Sequence, residues 1–163
     1  MTQTLRRVAV LGGVRIPFCR SNTFYADLSN LDMMTGALNG LVEKFHLQGE
    51  HIDEVVGGAV VTHSRDWNLA REAVLGTELA PSTPGITLMQ ACGTSLQAAL
   101  MIAGKIASGQ IESGIAVGSD TTSDAPIVVS KRLAKRLTEM AQQKSAWDKI
   151  KVFKGFSPAE LIP

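Results

Sequence analysis

The 163-residue chain has only two cysteines, Cys19 and Cys92, and they form no CxxC pair. That is too few for a disulfide framework, and no zinc-knuckle spacing is present, so neither a disulfide scaffold nor a metal site is expected. An excess of charge of one sign is also lacking. The 16 Lys and Arg stand against 15 Asp and Glu, which removes the global basic field of a nucleic-acid binder; no nucleic-acid partner is expected. No apolar run approaches membrane-spanning length, and the start MTQTLRRVAVLGG has only a short apolar run broken by glycines, without the h-region and cleavage site of a leader peptide. These absences point to a cytoplasmic protein in a reducing compartment. A third glycine is missing as well. The stretch VLGGVR resembles a glycine-rich nucleotide loop, but it runs into Pro17 instead of a helix, so it reads as a turn closing a strand and not as a dinucleotide site.

What is present is enough chain for about one domain, with its charge unevenly placed. Residues 1–125 carry 8 basic and 12 acidic side chains, whereas residues 126–163 carry 8 and 3. The last quarter is therefore a separate, basic segment.

Strand and helix signals alternate along the first 125 residues, the pattern of an α/β fold with a mostly parallel sheet and helices on both faces. Arg7 to Leu11 reads as a first strand closed by Gly12 and Gly13. Ser29, with Asp32 three residues on, predicts a helix start, and Leu31, Met34, Leu38, Leu41, Val42 and Phe45 make its apolar face. Glu54 to Val61 reads as a second strand, Asn68 to Leu79 as a short helix and Gly85 to Gln90 as a third strand. The helix after Cys92 is apolar on most sides, which predicts burial almost all round, with Lys105 in its last turn and Gly109 just past it. Ser113 to Val117 reads as a fourth strand, followed by the polar loop GSDTTSDAP and a basic helical segment from Ser130.

Cys92 carries the chemical question. A lone cysteine in apolar surroundings is usually inert core. The first turn of a helix, however, offers unpaired N–H groups and the positive end of the dipole, which favour a thiolate and can hold an oxyanion formed at the carbon it attacks. Ala91, Gly93, Thr94 and Ser95 are small and would leave room for a substrate at the sulfur. Among the histidines, His46 follows the apolar face of a helix and His51 opens a strand, both readings structural; His63 lies in a loop with Ser64, Arg65 and Asp66, where a base role is the minor reading. Cys19 reads as structural.

Read together, GVRIPF, NLAREAVLG, TPGITLMQACGTSLQAA and GSDTTSDAP resemble, in order and without large gaps, the N-terminal half of a thiolase. SDAP followed by SKRLAKRL is similar to the β subunits of fatty-acid β-oxidation complexes. The resemblance implies an acyl-CoA C-acyltransferase in which Cys92 is the nucleophile, cleaving 3-ketoacyl-CoA to acetyl-CoA and a shortened acyl-CoA through an acyl-cysteine, with coenzyme A as co-substrate and no tightly bound cofactor. It implies a homodimer or tetramer, and association with a hydratase/dehydrogenase subunit. Asn68 and Arg71 belong to a family motif near the dimer contact, where both would tie loops together. The Cys92 region departs from the commonest family pattern in having Gly93, Thr94, Ser95 after the cysteine and Gln90 two residues before it.

The family's catalytic histidine and second cysteine come from its C-terminal half, and none of His46, His51 and His63 matches a family position. Residues 1–125 then correspond to an N-terminal core domain with an incomplete sheet. Residues 126–163 correspond to the start of an inserted basic loop domain, whose basic run is ordinarily a solvated face; contacts with CoA phosphates, an anionic membrane surface or a partner subunit are the sharper, minor reading. The expectation is a nucleophile-bearing portion of a longer or split enzyme, inactive alone. The competing readings are a non-catalytic module of the same fold, used in assembly or CoA binding, and a condensing ketoacyl-synthase-type enzyme.

Overall fold

The computed structural model describes residues 5–161. The chain divides after Ala125 into two compact units. In the first, helix α1 (Asn30–Phe45), strand β1 (Val55–Gly58), helix α2 (Leu69–Leu75), strand β2 (Gly85–Thr87), helix α3 (Thr94–Ala107) and strand β3 (Ile115–Gly118) alternate as the sequence predicts. The strands form a parallel sheet in the order β2-β1-β3, with Val55 opposite both Gly85 and Ile115.

Successive side chains of a strand point to opposite faces, and β1 uses both. Val55 packs with Met34, Leu38 and Val42 of α1 and with Leu69, Ala73 and Val74 of α2. Val56 packs with Ala98 and Ile102 of α3. All four residues of β1 are buried, as expected for the central strand of a sheet covered by helices on both faces. The start of α1 follows its local code. Ser29 accepts the Asp32 N–H, and the Asp32 carboxylate accepts the Ser29 N–H at 2.8 Å, a reciprocal cap. His46 ends the helix in the left-handed region, with φ 53°.

Three expectations fail. Arg7 to Leu11 forms no strand: the run is exposed, Val10 by 92%. The run pairs with none of the three described strands, and strand propensity without a ladder partner is weak. Helix α3 is not buried all round either. Thr94, Ala98 and Ile102 are its buried residues, while Leu96 and Leu100 are 67% and 58% exposed; the sheet covers one face and no described element covers the other. Helix α2 is shorter than the Asn68 to Leu79 reading, because Gly76 caps it. A Cβ at Gly76 would lie 2.8 Å from the Thr35 methyl of α1.

The second unit holds helix α4 (Lys131–Gln142), helix α5 (Ala146–Lys151) and a 3-10 turn (Pro158–Leu161). Its organiser is Arg136. The guanidinium donates to the Glu160 carboxylate at 2.9 Å and to the carbonyls of Val152 and Lys154 at 2.5 and 3.2 Å, so part of the basic run is internal and not a solvated face. The hydrogen bond from Arg136 holds the Glu160 carboxyl below its usual range. A depressed folded value stabilises above the unfolded carboxylate value of about 4.3 and is lost as pH falls through the lower folded one. Acid is therefore expected to loosen this unit in that window. Amide hydrogen exchange at Leu133 across pH reads it, and Glu160→Gln should remove the pH dependence.

Candidate active site around Cys92

The segment that carries Cys92 is set by the end of β2. The Leu88 N–H donates to the Gly57 carbonyl at 2.9 Å, and Gly58 allows the Leu88 carbonyl to approach: an ideal Cβ there would lie 1.9 Å from that oxygen. The chain then turns sharply. Gly93 N–H donates to the Gln90 carbonyl at 3.0 Å, and Ala91, inside the turn, has φ +45°. A left-handed conformation is uncommon outside glycine and costs on the order of 1 kcal/mol or more.

Cys92 lies in this turn and is exposed. It is not in the helix: Gly93 is the N-cap of α3, and Thr94 is its first residue. The sequence pattern predicts the thiol in the first helical turn; it lies just ahead of that turn, because the helix starts two residues later than Cys92. The amides beyond it stay available, since the N–H groups of Ser95 and Leu96 have no acceptor among the described residues. The expected ring of small residues is also divided. Ala91 and Ser95 are exposed, but Thr94 is 5% exposed and turns inward. Its hydroxyl accepts the Gln90 N–H at 2.9 Å and donates to the Ala91 carbonyl at 2.8 Å. In the sequence Thr94 is recognisable only as a small side chain, because neither partner of its hydroxyl is visible before the turn exists.

The neighbouring loops are tied by polar contacts. Asp120 accepts the Val61 N–H at 3.1 Å, and Ser119 donates to the Asn30 carbonyl at 2.8 Å. His63 Nε2 donates to the Asp124 carbonyl at 2.5 Å, and Arg65 pairs with the Asp124 carboxylate. His63 is thus a strap between two loops. His51 meets the Ser82 hydroxyl at 2.9 Å and His46 is a helix cap. Asn68 caps α2, donates to the Gly85 carbonyl at 2.9 Å and accepts from Thr87, while Arg71 donates to the Thr83 and Pro81 carbonyls at 2.6 and 2.7 Å; both tie loops together. Cys19 is exposed beside Tyr25, whose phenol is raised by burial and by this thiol.

Two concavities flank the segment. One, of about 560 Å³, is lined by Ser95, Cys19, Arg15, Arg20 and the loop from Gly118 to Ser123. The other, of about 420 Å³, is lined by His63, Trp67, Leu88 and Met89. Cys92 lines neither. No group of metal-ligating side chains occurs among the described residues.

Residues 8–153 match the family model for the thiolase N-terminal domain. The chain belongs to the thiolase family. It is 36% identical over 157 residues to a 3-ketoacyl-CoA thiolase of Alteromonas mediterranea and 38% identical over 157 residues to one of a Shewanella species, covering 96% of this chain and 36% of each relative. A third, from Photorhabdus laumondii, is 37% identical over 163 residues, 100% of this chain and 37% of that protein. The chain spans just over a third of the length of these thiolases. Among solved structures, a thiolase from Ascaris suum in complex with coenzyme A superposes with a TM-score of 0.64 at 25% identity, over 68% of this chain and 29% of that one. An acetyl-CoA acetyltransferase of Bacillus anthracis superposes with a TM-score of 0.62 at 22% identity, over 66% and 27%, and supports the thiolase fold of the sheet and its helices.

Proposed function

We propose that this chain is the nucleophile-bearing part of an acyl-CoA C-acyltransferase that cleaves 3-ketoacyl-CoA with CoA, and that Cys92 carries the acyl group. The observation behind this reading is the exposed thiol in the left-handed Ala91 turn, just ahead of the free amides of Ser95 and Leu96, in a chain whose relatives are named 3-ketoacyl-CoA thiolase. The Cys92 thiolate attacks the 3-keto carbon, the C2–C3 bond breaks, and acetyl-CoA leaves as its carbanion takes up a proton. Free CoA then attacks the acyl-cysteine carbonyl and releases the sulfur. Amides aimed at the carbonyl oxygen support the negative charge of each tetrahedral intermediate.

Coenzyme A serves as co-substrate in this scheme, with no tightly bound cofactor, and its presence in the Ascaris suum thiolase structure is in keeping with that. The protonation steps need a base and a second thiol, and His63, held against Asp124, supplies neither. The full cycle therefore calls on further thiolase residues. The same reading gives a cytoplasmic enzyme of fatty-acid β-oxidation, a homodimer or tetramer associating with a hydratase/dehydrogenase subunit. The basic residues 126–163 would begin an inserted loop domain facing CoA phosphates or an anionic membrane surface.

One half-reaction needs only the thiolate, and it gives the test. On incubation with acetyl-CoA, Cys92 attacks the thioester carbonyl and CoA leaves as the free thiol. Peptide mapping by mass spectrometry is expected to find an acetyl thioester on Cys92, ahead of Cys19 and absent in Cys92→Ala. Equal labelling of both cysteines, or none at Cys92, rejects the nucleophile and favours a non-catalytic module of the thiolase fold.

A further inference from the structure

We infer that Thr94 is a positioning residue for Cys92, acting through its hydroxyl, which clamps the turn from which the thiol projects; this rests on the reading of Cys92 as the acyl carrier. The turn has reason to relax. Ala91 sits at φ +45°, a strained conformation that persists only where its surroundings over-determine it. Apart from the Gly93-to-Gln90 and Thr94-to-Ala91 backbone bonds, what fixes it is one side chain. The Thr94 hydroxyl takes the Gln90 N–H at 2.9 Å and gives its proton to the Ala91 carbonyl at 2.8 Å, so the Met89–Gln90 and Ala91–Cys92 peptides, one on each side of the turn, are held by the same oxygen.

Burial makes the clamp strong. Thr94 is 5% exposed, so water does not replace a lost partner, and an unpaired buried N–H is costly. The side chain also divides its work between two arms. The methyl packs against β1, 3.1 Å from where a Cβ at Gly58 would stand, and anchors the residue to the sheet. The hydroxyl reaches the turn. Helix α3 begins at Thr94 itself, so one residue registers the sheet, the helix start and the turn, and sets the Cys92 backbone relative to the free amides of Ser95 and Leu96.

The two arms can be removed separately. Thr94→Val keeps the shape and the methyl but deletes both hydroxyl bonds; Thr94→Ser keeps the hydroxyl and deletes the methyl. Cys19, the other free and exposed thiol, is an internal reference in the same molecule. The chain is alkylated with iodoacetamide from pH 6 to about 9, a range bracketing the free thiol value of about 8.5, and the Cys92 to Cys19 rate ratio is read by peptide mapping, with folding followed by circular dichroism.

In the unsubstituted chain Cys92 is expected to react faster than Cys19. Thr94→Val should lower the ratio by about tenfold, because the attacking sulfur is no longer held at the free amides of Ser95 and Leu96. Thr94→Ser should keep the ratio within about twofold while lowering thermal stability. A purely structural Thr94 predicts the reverse order, with Ser the more harmful. An unchanged ratio in Thr94→Val, or an equal fall in Thr94→Ser, overturns the clamp and leaves the nucleophile standing. A ratio of one in the unsubstituted chain removes the nucleophile and the clamp with it. Should Thr94→Val not fold, the Thr94→Ser ratio decides: retained, the hydroxyl suffices; lost, the proposal fails.

Discussion

Gly58→Ala is expected to destabilise the first unit by about 3 kcal/mol or more, beyond the usual range of overpacking. An added methyl in a core normally displaces a neighbouring side chain. Here the obstacle is backbone: the new Cβ would stand 1.9 Å from the Leu88 carbonyl oxygen and 3.1 Å from its carbon. Neither partner can swing aside alone, because Leu88 is bonded to the Gly57 carbonyl on one side and the Gly58 carbonyl accepts the Ser119 N–H at 3.2 Å on the other. Relief requires β1 to part from the chain leading to Cys92. For a domain of this size the loss corresponds to a fall of roughly 6–12 °C in melting temperature. Gly104→Ala is the control. That glycine lies inside α3 with nothing within 4 Å of its Cβ position, so alanine should stabilise by up to about 1 kcal/mol. Equal melting of Gly58→Ala and the parent chain would mean that Leu88 and β1 are not this close.

Lys105→Met is the second large change, expected to cost about 3 kcal/mol. The Lys105 ammonium meets both oxygens of Glu54 at 2.6 and 2.7 Å, and the Glu54 side chain is only 10% exposed. Removing one member of a buried pair strands the other charge at about 3–5 kcal/mol; Lys105 keeps 28% of its own exposure, which places the effect at the low end. The pair as a whole is worth much less than either deletion suggests, since its attraction is offset by desolvation. Glu54→Leu combined with Lys105→Met should therefore recover most of the loss. Denaturant midpoints for the two single variants and the double variant give the coupling energy, and a strictly additive result would show that the ammonium and the carboxylate do not interact.

Some parts of the molecule are legible in the sequence and others are not. The cap at Ser29 and Asp32, the apolar stripe of α1 and the succession of β1, β2 and β3 along the chain all rest on residues a few places apart, and each is readable; the sheet order, which joins Val55 to Gly85 and Ile115, is not. Lys105 was readable only as a cation near a helix end, since its partner lies 51 residues away and nothing local announces it. The run Arg7 to Leu11 carries every local mark of a strand, yet a ladder is a property of two segments. Cys92 falls between these cases. A helix start near it was visible, but the offset that puts the thiol in the Ala91 turn comes from the Thr94 hydroxyl and the close approach at Gly58, which exist only after β1, β2 and α3 have met.

That β1 is central, with both neighbours later in the chain, has a consequence for synthesis. Val55 pairs with Gly85 and with Ile115, and nothing upstream among the described residues forms a ladder with it. At translation rates of about 5–20 residues per second, the sixty residues between Val55 and Ile115 take roughly 3–12 seconds to appear. Throughout that interval the most deeply buried strand of the unit leaves the ribosome with at least one edge open. The nascent chain is thus most exposed to misassociation before β3 is made, and the exposure ends only when the strand leading to the polar loop at Ser119 closes the second edge.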